Sequence, residues 1–327
     1  MVRNKETGAL ESCDFDSLVK HIPEIELCSA EIDTFSFSSP IDSSDMTPQI
    51  WGRIVKVIAD NYETHDGFVI LHGTDTMAFT ASALCFMLEG LNKPVILTGS
   101  QLPIHSLRTD AKENMLTAIE IAAARNAEGH PMVPEVCIYF HEELMRGCRS
   151  TKISASNLAA FSSNNYPLLA RSGTDITYFP EYIAPYKPDS VLKPHYKMDS
   201  SIIILSLFPG LGRETVDCVL KNDAVKGVIF RTFGSGNAPQ YEWLEEALAD
   251  AVNNGKVIVN ISQCATGFVQ MEKYKTGRGL LGAGVTSGRD STVEAALTKL
   301  MYLLGEGYSQ TEICRRMNLS LAGEITL

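Results

Sequence analysis

The sequence predicts an α/β fold of two domains, a larger N-terminal one with a mostly parallel sheet flanked by helices and a smaller C-terminal α/β domain. The first observation behind this prediction is that short apolar runs alternate with longer stretches of helical period. The second is the length of 327 residues, which exceeds the usual size of one domain. The third is a proline-rich interruption at residues 175–196. We therefore expect an N-terminal domain over 1–185, a linker over 186–200 and a C-terminal domain over 201–327.

The first domain repeats a strand, a polar turn and a helix. The predicted strands are 68–71, 95–97 and 136–140, and the predicted helices are 77–89 and 110–124. In open parallel sheets, ligands bind beyond the carboxyl ends of the strands. A binding site is therefore expected at the turns that follow Leu71 and Thr98.

The second domain shows the same alternation. The predicted strands are 202–205, 228–230 and 257–259, and the predicted helices are 214–221 and 241–253. Two later helices are expected to begin at capping boxes, where a serine is followed three residues later by a glutamate. These pairs are Ser291 with Glu294 and Ser309 with Glu312.

Charge and composition exclude several classes of function. A net charge of -11 disfavours nucleic acid and anionic membranes as partners, because both require clustered Lys and Arg. No apolar run approaches the roughly 20 residues of a membrane span, and no signal peptide opens the sequence, so we expect a cytoplasmic protein. Seven scattered histidines and eight scattered cysteines give no metal-ligand spacing. We therefore expect neither a metal nor a cofactor, and we expect reduced thiols at Cys13, Cys28, Cys85, Cys137, Cys148, Cys218, Cys264 and Cys314.

Three polar clusters are candidates for the site. The turn 72–76 contains Thr74 and Asp75 between a strand and a helix, although the same residue types also serve as helix N-caps. We expect His72, in the same turn, to be a structural residue at the end of the strand. A second cluster, 42–45, supplies two hydroxyls and a carboxylate, more than one cap needs; capping alone remains the simpler account of Asp45 or Thr47.

The third cluster, 146–152, ends in Lys152 after a glycine-containing turn. Most lysines are solvated surface charges, and Lys152 taken alone would be one of them. A lysine brought beside a Thr-Asp pair is different, because the carboxylate can orient it as a candidate general base.

Together these clusters resemble the bacterial type I (cytosolic) L-asparaginases. The motifs that carry the resemblance are D-S-S-D-M at 42–46, H-G-T-D-T-M at 72–77, G-S-Q-L-P at 99–103, R-G-x-R-x-T-K at 146–152 and R-T-F-G-S-G-N-A-P at 231–239. Several linked motifs in order are far more specific than a single match. The resemblance implies hydrolysis of L-asparagine to aspartate and ammonia through a threonine nucleophile and an acyl-enzyme, without a cofactor.

The resemblance also assigns residues. It implies Thr74, Asp75 and Lys152 as catalytic residues. Asp42, Ser43, Ser44 and Asn237 are the implied substrate-binding residues, and Thr151, Arg231 and Cys264 are the implied positions of a regulatory asparagine site. It implies a homotetramer, a dimer of dimers, in which Asn237 approaches the active site of a neighbouring subunit.

The sequence departs from this family at its start. These enzymes open with a strand that runs into T-G-G-T-I-G-M, and no T-G-G-T-I occurs in the sequence. We expect the working protein to contain about 15 to 20 further residues upstream, one strand and its turn, with the first catalytic threonine. Two other functions stay open: an asparaginase-like subunit of a tRNA-dependent amidotransferase, and a catalytically silent asparagine sensor.

Overall fold

The chain divides into two units, residues 1–196 and 197–327. The computed structural model describes residues 2–3, 10–11 and 22–327. Each unit contains its own sheet and its own helices, which confirms the predicted class of two α/β domains. Cys13 and the expected upstream strand with its threonine loop lie outside the described residues.

The first unit contains short strands and three α-helices in the part of the chain that the structure describes. The helices are α1 (Pro48–Asp60), α2 (Met77–Met87) and α3 (Ala111–Ala123). The strands are β1 (Val2–Arg3), β2 (Leu10–Glu11), β3 (Phe68–Leu71), β4 (Leu88–Glu89), β5 (Val95–Thr98), β6 (Val136–Phe140), β7 (Glu143–Arg146), β8 (Thr151–Lys152), β9 (Phe161–Ser162), β10 (Ala170–Ser172), β11 (Ile176–Tyr178) and β12 (Lys193–Pro194). The first part of the proline-rich stretch therefore forms a strand, β11.

The main sheet of this unit is mixed rather than mostly parallel. Its order is β11-β10-β7-β6-β5-β3, in which β3, β5 and β6 are parallel while β7, β10 and β11 add antiparallel pairs. The change of direction occurs at His141 and Glu142, whose φ angles of 47° and 69° form a two-residue hairpin turn. Such turns usually contain Asn or Gly, so this hairpin carries no recognisable turn signature.

Strands β5 and β6 are covered on both faces, which is why they read as continuous apolar runs. Val95, Ile96 and Leu97 of β5 are each fully buried. Ile96 packs against Ala118 and Ile121 of α3 in one core cluster. This packing fixes the strand ends from which the site is built.

The second unit contains a parallel four-stranded sheet. Its order is β13 (Ile202–Ser206), β14 (Gly227–Thr232), β15 (Val257–Ser262) and β16 (Thr286–Ser287). The helices of the described chain in this unit are α4 (Arg213–Leu220), α5 (Glu242–Asn253), α6 (Lys275–Gly282), α7 (Val293–Gly305) and α8 (Gln310–Met317).

One of the two expected helix caps is correct and one is wrong. Ser309 caps α8 by accepting from the backbone N–H of Glu312. Helix α7 is capped by Thr292, which accepts from Ala295, and not by Ser291. Ser291 instead donates its hydroxyl to the carbonyl of Gly288, so it stabilises the preceding turn.

Two buried lysines tie loops together in the second unit. Lys299 pairs with Glu324 at 2.5 Å, with side chains 1% and 0% exposed, and also donates to the carbonyl of Leu319. Lys256 donates to the carbonyls of Asn222 and Val225, beyond the end of α4. These bonds give each buried ammonium group acceptors in the loops that follow α4 and α8. Across the described parts of both units, none of the helices combines the length and the apolar character needed to cross a membrane.

Candidate active site

The turn 72–76 lies at the carboxyl end of β3, beside the turn that follows β5. Leu71 pairs with Thr98, and the backbone N–H of His72 donates to the carbonyl of Thr98 at 2.8 Å. The two turns touch at Gly99, where a Cβ atom would lie 2.2 Å from the carbonyl oxygen of His72. Only glycine allows this approach.

The three residues that were predicted to be catalytic meet at this sheet edge. The Nζ of Lys152 donates to Thr74 Oγ1 at 2.8 Å and to Asp75 Oδ1 at 2.6 Å. Lys152 reaches them from the β8–β9 hairpin, where it pairs with Phe161. The lysine side chain is 18% exposed and the Asp75 side chain is 67% exposed. The carboxylate therefore orients the lysine on one side and remains open to a ligand on the other.

Gln101 also belongs to this set, a role that was not predicted from the sequence. Thr74 donates its hydroxyl proton to Gln101 Oε1 at 3.1 Å, so the oxygen of Thr74 accepts from Lys152. The Nε2 of Gln101 donates to the carbonyl of Asn157, and its backbone N–H donates to Asp110. One feature of the sequence could have indicated Gln101: it lies in the turn after Thr98, which was expected to border the site.

The cluster 42–45 forms a short 3-10 helix, Ser43–Asp45, capped by Asp42. The backbone N–H and the hydroxyl of Ser44 both donate to Asp42 Oδ1, at 2.9 and 2.8 Å. These bonds, the backbone one first, lower the pKa of the Asp42 carboxyl. Thr47 caps α1, as the simpler account of that residue predicted. We call residues 42–44 the serine loop.

His72 lies at the end of β3 and its ring contacts the turn and helix α2. Its Nδ1 lies 2.6 Å from the carbonyl of Gly73 and its Nε2 lies 2.9 Å from Thr80 Oγ1. Nδ1 donates to the carbonyl, and in the neutral ring Nε2 accepts from the Thr80 hydroxyl. Burial lowers the pKa of His72 below its usual value of 6.5.

This lowered pKa predicts acid sensitivity of the fold. As the pH falls through about 6.5, the unfolded chain binds a proton at residue 72 before the folded chain does, so the stability that neutral His72 provides is complete above that pH and declines below it. We expect the loss of Tm between about pH 7.5 and pH 5.5 to be larger in the wild type than in His72→Gln. The half-exposed His130 provides the control, because His130→Gln should retain the wild-type loss. Equal losses in all three proteins would contradict the prediction.

Comparison with known proteins identifies the family. Residues 1–183 match the family model described as "Asparaginase, N-terminal", and residues 201–317 match the "Glutaminase/Asparaginase C-terminal domain". The chain belongs to the asparaginase family. The motifs found in the sequence are therefore motifs of this family, and the chain matches the models of both of its domains.

Two sequences and one crystal structure illustrate this asparaginase relationship. L-asparaginase 1 of Escherichia coli K12 is 44% identical over 286 residues, which cover 88% of this chain and 82% of that protein. A mouse protein named 60 kDa lysophospholipase is 44% identical over 287 residues, 88% of this chain, and the chain spans about half (50%) of the length of that relative. The crystal structure of L-asparaginase I from Vibrio cholerae superposes with a TM-score of 0.88 at 41% identity, covering 98% of this chain and 96% of that one.

The remaining positions implied by the asparaginase resemblance are divided between the two units. Thr151 belongs to the first unit and precedes Lys152 in β8. Arg231, Asn237 and Cys264 belong to the second unit. Arg231 lies in β14, and its Nε is buried without a hydrogen-bond partner among the described residues. Cys264 is exposed, and Asn237 Oδ1 accepts from the Thr276 hydroxyl at 2.8 Å.

Proposed function

We propose that this protein is an L-asparaginase that hydrolyses L-asparagine to L-aspartate and ammonia. The observation that carries the proposal is Lys152 donating to both Thr74 and Asp75. Amide hydrolysis requires a nucleophile, a base that activates it and donors that stabilise the oxyanion. A threonine hydroxyl is a weak nucleophile, so a lysine within hydrogen-bond distance and held by a carboxylate supplies what it lacks.

The proposed reaction has two steps. A threonine hydroxyl attacks the side-chain amide carbon of asparagine and passes its proton to the base, and the C–N bond then breaks as ammonia leaves with that proton. Water next attacks the resulting ester and restores the threonine, which releases aspartate. We assign the base role to Lys152 and place Thr74 with it in the reacting set. Before the reaction, Gln101 Oε1 accepts a hydrogen bond from the Thr74 hydroxyl and so fixes the direction of that hydroxyl.

Substrate binding is assigned to the charged and polar groups around this set. Asp75 is the proposed partner of the α-ammonium group, since most of its carboxylate surface is exposed. The serine loop is the proposed partner of the α-carboxylate: Ser43 has a hydroxyl and a backbone N–H to donate, and Ser44 can donate when it exchanges a bond to Asp42 for one to the substrate. Asn237 is the proposed contribution of a neighbouring subunit.

The direct test is ammonia release from asparagine by the full protein. We expect ammonia and aspartate in equal amounts, and the same assay with glutamine measures selectivity between the two amides. Calorimetric binding of asparagine without ammonia release would support the sensor instead. Glutamine hydrolysis that requires a partner protein would support the amidotransferase subunit.

We also propose a cytoplasmic homotetramer arranged as a dimer of dimers. The family resemblance supports the assembly, and the thiols of the seven described cysteines, none of which forms a disulfide, are compatible with a reducing compartment. Light scattering should give about four times the mass of one chain. Asn237→Ala is expected to reduce asparagine hydrolysis while the tetramer remains. An active monomer at assay concentration would contradict this assembly.

A second asparagine site is the last part of the proposal. The resemblance names Thr151, Arg231 and Cys264 for it, and an arginine suits the α-carboxylate of an amino acid. The unpartnered Nε of Arg231 supports this assignment. We expect a sigmoidal dependence of velocity on asparagine, converted to a hyperbolic one by Arg231→Ala but not by the exposed control Arg213→Ala. A hyperbolic curve already in the wild type would contradict a regulatory site.

A further inference from the structure

We infer that Thr76 is a positioning residue that fastens the serine loop to the catalytic turn. The Thr76 hydroxyl takes no part in the reaction; its role is to hold the serine loop in place. Its effect on catalysis rests on the proposed function, because the serine loop is there assigned to the substrate carboxylate.

The hydroxyl of Thr76 does not make the hydrogen bond that is usual for its position in the fold. Thr76 occupies the N-cap position of α2, where a threonine side chain normally accepts from a backbone N–H of the first helical turn. Here it makes no such bond. It donates instead to the carbonyl of Ser43, 33 residues away in sequence, at 2.6 Å. This distance lies at the short end of the range for O–H···O hydrogen bonds, so the loop is held closely.

A second contact, between Gly73 and Ser43, restricts the position of the same serine. Ser43 is buried, with 6% of its surface exposed. A Cβ atom added to Gly73 would lie 2.5 Å from Ser43 Oγ and 2.8 Å from Ser43 Cβ, so the two segments touch with no room for a methyl group. Gly73 and Thr76, which both belong to the turn 72–76, therefore both restrict the position of Ser43.

The contacts of Gly73 and Thr76 with Ser43 position the whole serine loop, because the residues of the loop are hydrogen-bonded to one another. Ser44 donates twice to Asp42, and the backbone N–H of Asp45 donates to the carbonyl of Asp42. A displacement of Ser43 therefore moves its neighbours with it. Lys152 makes no bond to this loop among the described contacts, so loss of the fastening should affect ground-state binding more than the chemical step.

The test compares Thr76→Val, which has nearly the same shape but no hydroxyl, with Thr76→Ser, which retains it. We expect Thr76→Val to raise the KM for asparagine about 2- to 13-fold, the usual range for one lost hydrogen bond, with kcat within about threefold. Thr76→Ser should restore KM to near the wild-type value. Thr292→Val is the matched control: it removes a hydroxyl from another helix N-cap and should lower Tm without changing KM.

A readout independent of asparagine hydrolysis separates this inference from the proposed function. Amide hydrogen exchange in a peptide containing residues 42–46 should accelerate in Thr76→Val and in Gly73→Ala, but not in Thr76→Ser or Thr292→Val. If the wild type releases no ammonia while exchange accelerates as expected, the fastening stands and the proposed function fails. Unchanged exchange with unchanged KM in folded Thr76→Val overturns the fastening, and unchanged exchange in Gly73→Ala overturns it even where Thr76→Val does not fold.

Discussion

Replacement of Lys152 by methionine is expected to lower kcat/KM for asparagine by about 10²- to 10⁴-fold, the usual contribution of a general base. Methionine has a similar length and occupies the same space beside Thr74, so the packing of the turn should be preserved. The Asp75 carboxylate loses its partner but stays 67% exposed, and water can solvate it. The loss should therefore appear in the rate of ammonia release while Tm changes little.

Two further variants separate the base from the charge. Lys152→Arg retains a cation but cannot give up its proton at ordinary pH, so it should be as inactive as Lys152→Met. Lys221→Met removes a lysine that is 70% exposed and pairs with Asp217, and it should leave activity unchanged. Substantial activity in Lys152→Arg would show that this position supplies only positive charge.

Replacement of Asp75 by alanine is expected to weaken asparagine binding and to slow the reaction. The carboxylate is the proposed partner of the α-ammonium, and hydrogen bonds to charged groups contribute about 1.5–3 kcal/mol, which corresponds to a KM raised by about 10- to 150-fold. It also orients Lys152 through a bond of 2.6 Å, so kcat should fall as well. Steady-state kinetics of ammonia release give both parameters.

The binding part of this prediction can be isolated with a substrate that lacks the α-ammonium group. Succinic acid monoamide presents the same amide and carboxylate as asparagine without that group, so Asp75→Ala should affect its KM far less. Asp60→Ala removes an exposed carboxylate paired with Lys56 and provides the control with no expected effect. An equal KM penalty for both substrates would mean that Asp75 acts only through Lys152.

Much of the fold could be predicted from the sequence because the parallel strands are apolar runs bounded by turn residues. Runs such as 68–71 and 136–140 were predicted with the bounds that the structure has, since an unbroken apolar run between turn residues has few alternatives. The hairpin at His141 and Glu142 was not accessible, because two charged or polar residues with positive φ carry no turn signature. The cap of α7 was placed one residue early, because Ser291 and Thr292 are equally good caps and only the path of the chain chooses between them.

The site divides in the same way. The turns after Leu71 and Thr98 were predicted from the rule that ligands bind beyond the carboxyl ends of parallel strands. The two turns lie close together because β3 and β5 pair in parallel. Lys152 was connected to Thr74 only by the family motif, because no local rule predicts a contact across 78 residues. Gln101 and Thr76 were missed as participants, since their roles depend on which partner each hydroxyl or amide chooses in three dimensions.

The buried lysines of the second unit have a consequence for chemical labelling. Amine-reactive reagents acylate lysines whose amines reach solvent, and most lysines of a folded protein qualify. Lys299 is enclosed against Glu324 and Lys256 is held against two backbone carbonyls, so both amines should be shielded while the second unit is folded. Their acylation therefore requires the unit to open, and the fraction of chains acylated at these two positions records how often it has done so.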